Sequence, residues 1–204
     1  ADNKKVDKEG VAARFVEQAY FHGEPVHITR AIAMESLTFS LVGKFEEAIA
    51  VQKRLEQIYS AEKLSEGLCR EYASDRAAQN YGYSVLWYEI MGKHEESQNQ
   101  VDFVLSELMP CMPEKNVHNS LLVLYPILFV LVDKGMAKKA GRLFQSYVYD
   151  RFYKFYGKES STFFLFIYET LKALFFVAGH EQGQDSDSNK FSEIAEWVLS
   201  EKNW

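Results

Sequence analysis

Apolar side chains recur every three or four residues along most of the chain, which is the period of an amphipathic α-helix. In the first such stretch, residues 8–22, Val11 and Phe15 lie on one apolar face, and Gly23 and Pro25 end the pattern. The strict alternation of a half-buried strand is scarce. The pattern therefore predicts an all-α protein.

Nine helices are predicted, arranged as hairpins after an initial single helix. The pattern runs as one long stretch from a possible cap at Ser65 to Gly92, and Pro126 is expected to kink or shorten its helix. The predicted helices cover residues 8–22, 27–42, 45–60, 65–92, a segment through 101–108, 116–132, a segment from Ala140 to Gly157, 163–178 and a segment through 191–199.

The heptapeptide Gly43 to Ile49 lies between two of these helices and is echoed further along the chain. Gly92 begins a similar segment, Gly135 begins another with the same spacing of small residues, and Gly179 is a further turn glycine. These glycines are 49, 43 and 44 residues apart. Self-similarity at this period is typical of stacked helical repeats. We therefore expect residues 1–204 to form one continuous repeat domain.

The turn segments resemble those of the tetratricopeptide-repeat superfamily. That family places a small residue at the turn, a bulky one two residues later and a small one five residues later, followed by two packing positions. The fit is good around Gly43 and Gly135, whereas Gln52, His94, Ser97 and Ala137 depart from it. Matching positions are Gly43, Phe45, Ala48, Leu55, Gly92, Val101, Val104, Gly135, Ala140, Phe144 and Tyr147.

The resemblance implies a right-handed superhelical stack of antiparallel hairpins, with longer units than the family's usual repeat of about 34 residues. It also implies a concave groove, lined by the first helix of each hairpin, that binds a protein or peptide partner. The basic residues with which one subclass reads a C-terminal carboxylate are not found at these positions. The alternative, that the same side chains are core between repeats, stays open. The expected partner-binding residues are Arg30, Met34, Leu37, Gln79, Tyr83, Leu86, Tyr125 and Phe129.

Charge and composition narrow the class of protein. A net charge of −6 argues against binding to nucleic acid, which requires a basic surface. The longest apolar run, residues 121–132, is shorter than the roughly 20 residues of a membrane span. Cys69 and Cys111 match no metal-binding spacing and are expected to be buried, reduced thiols. With no glycosylation sequon, an intracellular and cytoplasmic location is expected.

An acidic loop near the end of the chain resembles a calcium-binding loop. Asp185, Asp187, Asn189 and Glu196 occupy four ligand positions, but Lys190 stands where the sharp turn requires glycine. Capping of the last helix explains these acidic residues without a metal. No nucleophile elbow, phosphate loop or dinucleotide fingerprint occurs. We expect no cofactor and no catalytic activity.

The sequence is thus consistent with three functions. The first is a non-catalytic scaffold that binds a peptide or a partner helix. The second is a regulatory or sensor segment of a larger signalling protein, linked for instance to an ATPase or cyclase domain, because the chain begins without methionine. The third is a structural subunit that forms homo- or hetero-oligomers through exposed aromatic side chains near residues 147–156.

Overall fold

The computed structural model describes residues 7–156, which contain eight helices and no β-strand. The predicted all-α class is therefore confirmed for this part of the chain. The predicted helices beyond Gly157, the Gly179 turn and the acidic loop at Asp185, Asp187, Asn189 and Glu196 lie outside it. The bounds are α1 Lys8–His22, α2 Pro25–Leu41, α3 Phe45–Glu56, α4 Ala61–Tyr72, α5 Arg76–Ile90, α6 His94–Cys111, α7 Val117–Asp133 and α8 Ala137–Tyr156.

Two of these helices contain a π-helical turn, in which backbone hydrogen bonds reach one residue further than in an α-helix. In α6 the π turn covers Val104–Leu108, and in α8 it covers Gln145–Tyr149. Pro110 lies in the last turn of α6 and Pro126 lies inside α7.

The glycine turns have the backbone conformation that the sequence predicts. Gly23, Gly43, Gly92 and Gly135 have φ angles of 76°, 80°, 72° and 72°, the left-handed region that other residues avoid. At Gly43 the next amide, Lys44 N, bonds to Phe39 O at 2.9 Å. Lys93 N bonds to Tyr88 O and Met136 N to Leu131 O in the same register, at 2.9 and 2.8 Å. The last three turns thus share one hydrogen-bond pattern.

The predicted single helix from Ser65 to Gly92 is wrong, because two helices occupy this range. Ala73 adopts a left-handed φ of 57° and ends α4, and Asp75 caps the start of α5 by accepting a hydrogen bond from Ala78 N at 2.9 Å. Ser65 is not a cap but a buried residue inside α4.

Backbone contacts divide the chain into two compact units, Ala1–Ile127 and Leu128–Trp204. In the first unit, α2 packs against α1, α3, α4 and α5, and α5 also packs against α3 and α6. The main core of this unit consists of Val16, Ala19, Ala31, Ile32, Ala33, Val51, Leu55, Leu68 and Ala77. A second cluster contains Ala48, Ile49 and Trp87, with Tyr83 packed against it.

Several apolar side chains on or next to the helices are exposed. Leu41 is 71% exposed and Ile58 is 40% exposed, because both lie where a helix ends. On α1, which packs mainly against α2, Val11, Phe15 and Tyr20 are all more than 40% exposed. Helical periodicity shows that a face is apolar but not whether another element covers it.

The second unit is described from Leu128 to Tyr156. It contains the end of α7, the Gly135 turn and α8. Ala140, Phe144 and Val148 are buried, and the Arg151 guanidinium lies 4.9 Å from the centre of the Tyr147 ring. Across residues 7–156, no helix combines the length and the apolar character that a membrane crossing requires.

Candidate functional site

Helices α2 and α5 lie side by side and run in the same direction. The side chain of Asn80 on α5 donates a hydrogen bond to the backbone carbonyl of Ala33 on α2, at 2.8 Å. One turn earlier on each helix are Arg30 and Arg76, and the charge of Arg76 contributes to lowering the pKa of Arg30. Asn80 is almost fully buried, so this bond fixes the register of the two helices inside the protein.

The first half of α7 also packs against α5, and these two helices run in the same direction. Near the start of both helices, Gln79 Nε2 donates to Asn119 Oδ1 at 3.1 Å. Further along, Gly82 lies against the backbone of Val123, and a Cβ atom at this glycine would lie only 2.0 Å from the Val123 carbonyl oxygen. Glycine is therefore required here because two helix backbones approach closely.

Asp75 is the centre of a buried hydrogen-bond network at the junction of α4 and α5. Its side chain is inaccessible to solvent and accepts hydrogen bonds from the Tyr59 hydroxyl at 2.6 Å and from Ala78 N at 2.9 Å. Its own backbone N–H donates to Asn119 Oδ1 at 2.8 Å. The hydrogen bonds of Asp75 thus link α5 to the segment after α3 and to α7.

Asn119 extends the network to a thiol and, through Gln79, to a guanidinium. Its Nδ2 donates to Cys69 Sγ at 3.0 Å, and Asn116 Nδ2 donates to the same sulfur at 2.7 Å. Gln79, which bonds to Asn119, also accepts a hydrogen bond from Arg76 Nη1 at 2.8 Å. The neutral amides of this network connect the buried Asp75 to the half-buried Arg76.

Burial determines the proton affinities in this network. It raises the pKa of Asp75, against the hydrogen bonds from Ala78 and Tyr59, and it raises the pKa of the Tyr59 hydroxyl well above its usual value. Burial also raises the pKa of the Cys69 thiol, so this sulfur is not an activated nucleophile. The network is therefore suited to holding helices together.

Arg30 and Arg76 are two half-buried cations on the same side of the network. The Arg30 guanidinium lies 5.2 Å from the centre of the Tyr72 ring and makes no hydrogen bond or ion pair within residues 7–156. Arg76 Nε is buried without an acceptor among the same residues. Burial and the neighbouring Arg76 lower the pKa of Arg30, and both also lower the pKa of His118. We call Arg30 and Arg76 the arginine pair.

Three histidines lie in the first turn of a helix. His27, on α2, is half-buried, and its Nδ1 forms a hydrogen bond with the Tyr72 hydroxyl. His94, on α6, is exposed, and its Nδ1 lies 2.7 Å from Glu89 Oε2. His118 lies at the start of α7.

The predicted partner-binding residues fall into three groups by exposure. Gln79 is buried and Phe129 is 48% exposed. The others are half-buried, and Tyr83 among them packs against the second core cluster. Six of the predicted partner-binding residues lie on α2 and α5, which are adjacent helices in the structure. They are Arg30, Met34, Leu37, Gln79, Tyr83 and Leu86.

Two features of this site are not apparent from the sequence pattern. The arginine pair is separated by 46 residues, so no local basic cluster indicates it. The turn glycines give a weaker indication. The distance from Arg30 to Gly43 and the distance from Arg76 to Gly92 differ by less than one helical turn, so the two arginines occupy similar positions in their helices. The network around Asp75 joins residues from four segments and has no comparable pattern.

Cys69 and Cys111 form no disulfide in the described residues, and both are half-buried, so the prediction that they are fully buried is wrong. Within residues 7–156, no three His, Cys, Asp or Glu side chains are grouped as a metal site would need. Comparison with family models, curated proteins and solved structures found no match to this chain.

Proposed function

We propose that this protein is a non-catalytic binding module and that a segment of a partner protein binds along the side chains of α2 and α5. The observation that carries the proposal is the parallel register fixed by the hydrogen bond from Asn80 to Ala33. Arg30, Met34 and Leu37 on α2 and Leu86 on α5 are all half-buried side chains. A surface that combines apolar side chains with a few polar groups suits a peptide or an amphipathic helix.

The buried contacts between α5 and α7 support the proposal. The network of Asp75, Gln79 and Asn119 holds α5 against α7 below the surface, and Gly82 allows close contact of these helices. A binding surface that is already ordered loses less conformational entropy when a partner binds.

We also propose that the helices form a stack of repeated hairpins, as in the tetratricopeptide-repeat superfamily. Two recurrences support this. The residue after the turn glycine forms an ion pair with the second residue of an earlier helix, in Lys44–Glu9 at 2.7 Å and in Lys93–Glu46 at 3.4 Å. A serine also bridges each of the first two hairpins: Ser36 donates to Ala48 O, and Ser97 donates to Val85 O.

A peptide array tests the binding face. Wild-type protein is incubated with an array of peptides of varied apolar content, together with the variants Met34→Glu and Leu86→Glu. We expect the wild type to retain a defined subset of peptides and both variants to lose it, because a charge would be buried against apolar side chains.

Ala50→Glu is the matched control, because Ala50 is exposed on α3 and the change introduces the same charge. Circular dichroism establishes that all variants are folded. If all three variants retained the same peptides as the wild type, the face of α2 and α5 would not be the binding surface.

A further inference from the structure

Each arginine of the pair has a buried N–H group without a hydrogen-bond acceptor among residues 7–156. Arg30 contacts the Tyr72 ring face and has no hydrogen-bond acceptor within residues 7–156. Arg76 uses one nitrogen for Gln79, while its Nε remains buried without an acceptor in the same part of the chain. Buried donors without partners are unfavourable and therefore require an explanation.

No carboxylate contacts either guanidinium of the pair directly among residues 7–156. Asp75 is the carboxylate that acts on Arg30, but its two oxygens already accept hydrogen bonds from Tyr59 and Ala78. Neither arginine forms an ion pair with a carboxylate among residues 7–156. Two adjacent cations in a chain of net charge −6 thus form a local positive site.

We propose that Arg30 and Arg76 bind one phosphate group of a ligand, with the Tyr72 ring supporting the Arg30 guanidinium. A phosphate monoester carries a charge of about −1.5 to −2 at neutral pH and offers three acceptor oxygens, enough for guanidinium groups from two helices. Arginine is well suited to this role because its planar fork of N–H donors matches phosphate oxygens. A carboxylate carries one charge and two oxygens, and it satisfies the pair less completely.

The source of the phosphate is the part of this inference that rests on the proposed function. If a partner segment binds to α2 and α5, the phosphate belongs to a phosphorylated residue of that segment. The arginine pair lies one turn before Met34 on α2 and at the start of α5. A bound segment would therefore place its phosphate at one end of the face and its apolar residues along the rest of it.

Calorimetric melting of the intact chain tests the site with inorganic phosphate as the probe, compared with chloride and acetate at equal ionic strength. We expect phosphate to raise the wild-type Tm in a saturable way, since a ligand that binds only the folded state stabilises it. The NMR signals of the arginine Nε–Hε groups should shift over the same concentration range.

Arg30→Gln and Arg76→Gln give the decisive comparison. Each should weaken phosphate binding about tenfold or more, because charge-assisted hydrogen bonds are lost. Each should also raise the Tm without phosphate, because one of two adjacent like charges is removed. A purely structural arginine would show the opposite change in Tm. Arg54→Gln is the control with the same charge change, since Arg54 is paired with Glu35 at the surface.

The outcomes are distinguishable. Equal Tm shifts by phosphate in the wild type and in both variants, or an acetate effect as large as that of phosphate, would overturn the inference. N-acetyl phosphoserine amide binding more tightly than inorganic phosphate would identify a peptide-borne group, and equal affinities would identify a free phosphate ligand. Because these probes need no partner, they can succeed even if the peptide array fails.

Discussion

Gln52 is buried within the first unit and has no hydrogen-bond partner for either side-chain amide atom in the described residues. It occupies a position where the repeat pattern expects a packing residue. We predict that Gln52→Met raises the free energy of unfolding by about 1–3 kcal/mol, because two unsatisfied polar atoms are removed while the volume is kept. Urea denaturation measures this change.

Gln18→Met serves as the control, because Gln18 is exposed on α1. Its free energy of unfolding should change by less than about 0.5 kcal/mol, as is usual at surface positions. A loss of stability in Gln52→Met would mean that its amide is hydrogen bonded in solution.

Gly82 is a second residue for which the structure makes a sharp prediction. Gly82→Ala should lower the free energy of unfolding by about 1–3 kcal/mol, because its Cβ would lie 2.0 Å from the Val123 carbonyl oxygen and the backbones of α5 and α7 would have to separate.

Gly141→Ala is the matched control on α8, where an added Cβ would meet no atom within 4 Å. Alanine is the better helix former by about 0.5–1 kcal/mol, so this variant should be more stable than the wild type. Equal stability changes in the two variants would contradict the close approach of α5 and α7.

At the scale of helices, the sequence predicts most elements well because their ends are encoded locally. Gly43, Gly92 and Gly135 end helices by a conformation that glycine adopts easily, and periodicity locates the segments between them. The break between α4 and α5 could not be predicted in this way. It depends on Ala73 in a left-handed conformation and on Asp75, whose partners Tyr59 and Asn119 are distant in the sequence.

The first hairpin provides the prediction at this scale. Ala48 is fully buried in α3, and its carbonyl accepts a hydrogen bond from Ser36 on α2 at 2.8 Å. Ala48→Leu should lower the free energy of unfolding by about 1–3 kcal/mol, because the two helices cannot make room for a larger side chain. Thermal or urea unfolding measures the difference.

Ala50→Leu is the control for helix propensity and apolar character, because Ala50 lies exposed on the same helix. Its stability should stay within about 0.5 kcal/mol of the wild type. If Ala48→Leu melted like Ala50→Leu, the close packing of α2 against α3 would be wrong.

At the scale of the whole molecule, net charge is a poor guide to the candidate site. The total of −6 argues against nucleic acid, yet folding places Arg30 beside Arg76 and leaves both without a paired carboxylate among residues 7–156. Helical periodicity predicts which residues of α2, or of α5, share one side of their own helix. The hydrogen bonds of Asp75 with Tyr59 and Asn119 join distant segments, and the sequence pattern does not indicate them.

The buried Asp75 makes the stability of the first unit depend on pH. Because burial raises its pKa in the folded state, the folded protein binds a proton more tightly than the unfolded chain does. Its contribution to stability is therefore complete below the ordinary aspartate pKa of 3.8 and is lost as the pH rises through the folded-state pKa.

We expect the free energy of unfolding of the wild type, relative to that of Asp75→Asn, to decrease as the pH rises above about 4. Asparagine keeps the capping oxygen but does not titrate. Urea denaturation at a series of pH values measures the difference, and parallel pH profiles for the two proteins would show that Asp75 does not titrate with a raised pKa.

Hydrogen–deuterium exchange, measured with and without a peptide retained by the array, tests the central claim most directly. If the partner binds where we propose, protection from exchange should increase in α2, Pro25–Leu41, and in the first turns of α5, Arg76–Ile90. Protection confined to α1, where Val11 and Phe15 form an exposed apolar surface, would contradict the account and place the binding surface elsewhere.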